Sequence, residues 1–129
     1  MRKTLTYTVA EESRDKGKVF VLTEMAATQA ERWALRAFMA LGRSGFDLPS
    51  GVEQSGFAGF VRYGLEAVCK LSFAEAQPLL DEMFTCIQIQ PSPNVTRALI
   101  EEDIEEVRTR VKLRWEVLKL HADFSLPAA

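Results

Sequence analysis

A chain of 129 residues with 47% hydrophobic and 26% charged side chains has the make-up of one globular domain spanning residues 1–129, and it is too short for two. The formal net charge of −2 and a pI near 5.5 give no general attraction to a nucleic-acid backbone. No run approaches the roughly eighteen apolar residues that span a bilayer, and the N-terminus lacks the unbroken apolar core of a signal peptide, so the expectation is a cytoplasmic protein without a membrane partner.

Leu5, Tyr7 and Val9 alternate with Thr4, Thr6 and Thr8, the period-two pattern of a strand with one buried face. Val19, Phe20, Val21 and Leu22 form a second β-favouring run, and the charged connector Glu11 to Lys18 offers Gly17 for the turn, so residues 1–24 read as a β-hairpin. The second strand is apolar on both faces. It must therefore lie on helices, gain a third strand or pair with another chain, which makes a homo-oligomer an expectation.

Residues 26–42 read as the central helix. Ala27, Ala30, Ala34, Ala37 and Leu41 recur at spacings of three and four. Trp33 and Phe38 widen that stripe on one flank, Leu35 and Met39 on the other, and only Gln29, Arg32 and Arg36 form a polar line. A helix this apolar around its circumference predicts packing on several sides. Gly42 is its stop.

After a loop over residues 43–52, helix is expected over 53–71, with Phe57, Phe60 or Val61, Leu65 and Val68 on one face. Gly56, Gly59 and Gly64 within it read as a helix crossing, since a phosphate cradle would need a preceding strand and a correctly spaced lysine. Ser72 and Glu75 form a capping box opening a helix over 72–85, which Pro78 should kink. Residues 86–97 read as a connector. Within it Cys86 to Gln90 is a candidate short third strand carried by Ile87 and Ile89, and the run from Pro91 to Asn94 blocks continuation.

The C-terminal helix is expected over 99–122. Ile100, Ile104, Val107, Val111, Leu118 and Ala122 follow the spacing of an interhelical seam, with Trp115 near it. Acidic residues from Glu101 to Glu106 precede the basic run Arg108 to Lys119, an order that suits the helix dipole, and Glu106 with Arg110 is a favourable pair. Residues 123–129 read as a frayed tail. The fold class is α+β and predominantly α-helical, an N-terminal β-hairpin followed by about four helices.

Catalytic chemistry finds little support. His121 is the sole histidine, no catalytic signature surrounds it, Cys69 or Cys86, and these three are too scattered to resemble a metal-ligand set. Both cysteines fit reduced, buried thiols. The expectation is a non-enzymatic protein with no catalytic residues, cofactor or metal. Arg108, Arg110, Lys112 and Arg114 at alternate positions splay around a helix, and the acids before them oppose phosphate, so nucleic acid is not an expected partner.

The run LTEMAATQAERWALRAFMAL, from Leu22 to Leu41, resembles the tail assembly chaperones of long-tailed bacteriophages, in which a short hairpin leads into a helix of this type. Glu75 to Gln90 and Leu99 to His121 are similar to later segments of the same family. The resemblance implies a chaperone in the bacterial host cytoplasm that binds the tape-measure protein and recruits tail-tube subunits. The other reading is a small cytosolic protein-binding adaptor unrelated to phage tails. For a protein-binding surface, the residues favoured are Val19 and Val21 on an exposed edge of the hairpin, and Leu118, Phe124 and Leu126 near the C-terminal end.

Overall fold

β1 (Thr4–Thr8) and β2 (Val19–Thr23) form an antiparallel hairpin with Leu5 opposite Leu22 and Tyr7 opposite Phe20. Gly17 closes the loop at φ +87°, a left-handed conformation open to glycine, and its N–H donates to the Val9 carbonyl at 2.9 Å. The computed structural model describes residues 1–43 and 71–125. Across β2 lies β3 (Ile87–Ser92), and beside that β4 (Val95–Ala98), giving a four-stranded antiparallel sheet in chain order. The described α-helices are α1 (Ala27–Arg43), α2 (Phe73–Met83) and α3 (Val107–Ser125), with short 3-10 turns at Phe84–Cys86 and Glu101–Asp103.

The expected hairpin followed by about four helices is therefore overturned in favour of a four-stranded sheet with three α-helices among the described residues. The helix expected over 53–71 lies outside them. The expected connector over 86–97 is itself a second hairpin. Ile87 and Ile89 pair with Leu22 and Phe20, and β3 then continues through Pro91. Proline is tolerated because the register slips between Ile89 and Ser92, and at such a bulge no ladder donor is needed. Pro93 and Asn94 make the turn, where Gln90 Nε2 donates to the Pro93 carbonyl at 2.8 Å.

Phe20, Leu22, Ile87 and Ile89 are buried in one core with Trp33, Leu79, Met83, Leu113 and Val117, so the helices cover a single face of the sheet. The other face carries Thr4, Thr6, Thr8, Val19, Val21, Thr23 and Gln88. On α1 the inward residues are Trp33, Ala37 and Ala40, and the Trp33 indole donates to the Leu79 carbonyl of α2 at 2.9 Å. Ala27 is exposed, and Leu35 and Met39 are 49% and 60% exposed, so α1 is not enclosed on several sides. α2 starts as expected. Ser72 accepts from the Glu75 N–H at 3.2 Å and donates to its carboxylate at 3.1 Å.

α3 is turned from the orientation its four-three spacing predicts: Leu118 of that seam packs against the core, but the seam's first two positions on the helix do not. Val107 and Val111 are 76% and 55% exposed, whereas Leu113, Val117 and Leu120 are buried together with Thr109, Glu116 and His121. The acidic residues do not form its first turns. Asp103, on the 3-10 turn, holds Arg97 of β4 through two 2.8 Å bonds and accepts from the Ile100 N–H at 2.8 Å, so the helix begins only at Val107. Glu106 pairs with Arg14 instead of Arg110. α3 also runs through Ser125, beyond the start of the expected tail.

A polar joint fixes that start. The β1–β2 loop reaches across 90 residues of sequence to place the Asp15 carboxylate on the N–H groups of Glu105 and Glu106, each at 2.9 Å. Asp15 is fully buried and also binds the Lys18 ammonium at 2.9 Å. Lys18 in turn donates to the Asp103 carbonyl, and Arg14 to the Glu105 carbonyl. Burial alone would raise the Asp15 carboxyl, but the Glu105 N–H, Lys18, Thr109 and the Glu106 N–H outweigh it and lower its pKa from 3.8 to about 2. The anion caps the approach to α3 from a distant loop.

Candidate protein-binding surface

The structure separates the residues expected to bind a partner. β2 is flanked on both sides, so Val19 and Val21 sit on the outward face of an interior strand and not on an edge; both are half-buried. Leu118 lies with the core on the helix-covered side, lining a residual void of about 10 Å³ with Trp33, Met83 and His121. These residues therefore form no single surface. Phe124 belongs to the last turn of α3, where its side chain is outside the described set, as is Leu126 altogether.

His121 is held by backbone at both ring nitrogens. Nε2 accepts from the Met25 N–H at 2.9 Å, which leaves the ring proton on Nδ1, 2.8 Å from the Val117 carbonyl. The ring thereby ties the entry to α1 onto α3. Cys86, immediately before β3, is a free, buried thiol. Burial pushes its pKa from 9.0 up to about 11, with the Thr85 side chain only partly opposing the rise. Iodoacetamide at pH 8 is accordingly expected to leave Cys86 unmodified in the folded chain and to label it once denaturant is added, as read by peptide mass mapping. Rapid labelling of the folded protein at Cys86 would show the thiol to be accessible.

A groove of about 490 Å³ opens where β2 ends and β3 begins, bordered by Arg2, Gln29, Phe84, Cys86, Gln88 and Leu99. Its lining mixes polar and apolar groups without a converging set of charges. Behind it, Phe84 carries two guanidiniums, with Arg110 Cζ 4.3 Å and Arg114 Cζ 4.7 Å from the ring centroid. Arg114 Nε donates to the Leu80 carbonyl at 3.3 Å, which fixes its orientation. Burial, and then the charge of Arg110, hold the Arg114 pKa below its ordinary value. The i, i+4 spacing of Arg110 and Arg114 is visible in sequence; their common aromatic seat is not.

Among the described residues no cluster of three or more His, Cys, Asp or Glu is placed to hold a metal ion, and no helix is long and apolar enough to cross a membrane. Comparison with protein-family models, curated proteins and solved structures finds no match.

Proposed function

We propose that this chain is a non-enzymatic tail assembly chaperone of a long-tailed bacteriophage, working in the host cytoplasm to bind the tape-measure protein and recruit tail-tube subunits. The observation that carries the reading is the apolar surface left on its helices: Leu35 and Met39 on α1, Val107 and Val111 on α3. Apolar surface on a folded scaffold is what a protein needs to hold an aggregation-prone helical partner in solution. The resemblance of residues 22–41, 75–90 and 99–121 to that family supplies the partner class. Self-association belongs to the same reading, since such surfaces also meet each other.

Co-expression with products of neighbouring genes tests it. A very long helical protein should stay soluble only when this chain is present and should co-purify with it, together with a tube-forming subunit. Indifference of the long protein's solubility, with neither neighbour retained, would replace this reading with that of a small adaptor.

A further inference from the structure

Val107, Arg110, Val111 and Arg114 are spaced i, i+3, i+4 and i+7 along α3 and therefore form one stripe on its surface. The two valines are exposed, and the two arginines stand over Phe84. Elsewhere on α3, Arg108, Lys112 and Lys119 each reach a carboxylate. Arg110 and Arg114 reach no carboxylate at ion-pair distance among the described residues; Asp81 acts on Arg114 only from farther off, and the two like charges share one ring. Leu80 anchors Arg114 through Nε, which leaves its terminal nitrogens as a fork for a carboxylate.

We propose that this stripe docks an acidic amphipathic segment of a partner polypeptide, its carboxylates seated on Arg110 and Arg114 and its apolar side chains covering Val107 and Val111. Charge complementarity selects that occupant. The paired guanidiniums, only partly offset by Asp81, favour an added anion, and the adjoining valines favour apolar cover, which a phosphodiester chain does not provide. A long polyanion would also run onto Glu101 and Glu102, both exposed just before α3. A short peptide need present only a few carboxylates. The assignment stands independently of the tail-assembly reading.

The test uses the full chain and a fluorescent peptide of repeated Leu-Glu-Glu-Leu, followed by anisotropy at about 0.15 M salt. The peptide should bind, its glutamine counterpart should bind about tenfold or more weakly, and oligothymidylate should not compete. Arg110→Gln with Arg114→Gln should weaken binding by about tenfold or more, and Arg114→Lys should give an intermediate loss because it removes the fork. Val111→Glu, at an exposed position that leaves the fold intact, should weaken binding to a similar degree. Arg32→Gln, which removes an exposed arginine of α1, should have no effect. Absence of peptide binding, indifference to Val111→Glu, or tighter binding of the oligonucleotide would overturn the proposal. So would a dimer of the chain, seen by light scattering, that Val111→Glu dissociates, because a second copy would then be the occupant.

Discussion

Replacing Asp15 with alanine is expected to destabilise the protein by about 3 kcal/mol, a fall of roughly 10 °C in Tm. The substitution strips the N–H groups of Glu105 and Glu106 of their acceptor and leaves the Lys18 ammonium, three-quarters buried, without its closest anion. Asp15→Asn keeps the shape but not the charge, and one side of its amide must face a donor, so its loss is about 2 kcal/mol. The pH dependence separates charge from shape. The folded carboxyl titrates at about 2, below its ordinary 3.8, so its contribution is complete above about pH 4 and disappears as pH falls through about 2. Urea unfolding followed by tryptophan fluorescence should show wild type and Asp15→Asn converging over that window. Curves that stayed parallel would mean that the charge contributes nothing to the joint.

Local chemistry was legible in the sequence where neighbours in the chain settle it. Ser72 and Glu75 are three residues apart and cap α2 directly; Gly17 supplies the turn; Ile87 and Ile89 alternate because one face of β3 meets Phe20 and Leu22. β4 was not legible, because Pro91 and Pro93 are ordinarily strand-breaking and only the bulge lets the chain pass. The role of Asp15 was beyond reach for a different reason: a carboxylate amid Glu11, Glu12, Arg14 and Lys16 looks solvated, and nothing local announces donors 90 residues away. The same separation hid the seat of Arg110 and Arg114 on Phe84. Val19 and Val21 lie on the sheet face away from the helices that carry Leu118, a separation that sheet order decides and that local spacing does not show.

The face of α3 yields the sharpest test. Leu113→Ala should cost about 3 kcal/mol, since Leu113 is fully buried in the core with Val117 and Leu120 and its loss leaves a cavity. Val111→Ala should change stability by no more than about 0.5 kcal/mol, because Val111 is 55% exposed and alanine is the better helix former. Hydrophobic spacing alone predicts the reverse ranking, with Val111 in the seam and Leu113 outside it. The difference arises from the polar residues that share the buried face. Glu116 is ion-paired at 3.5 Å to both Lys112 and Lys119, Thr109 is bonded to Asp15, and His121 is bonded to Met25 and Val117, so a face that looks polar in sequence is satisfied inside the fold. Chemical denaturation of the two variants decides between these orientations. A large loss from Val111→Ala with little from Leu113→Ala would turn α3 around and bury the stripe assigned to a partner.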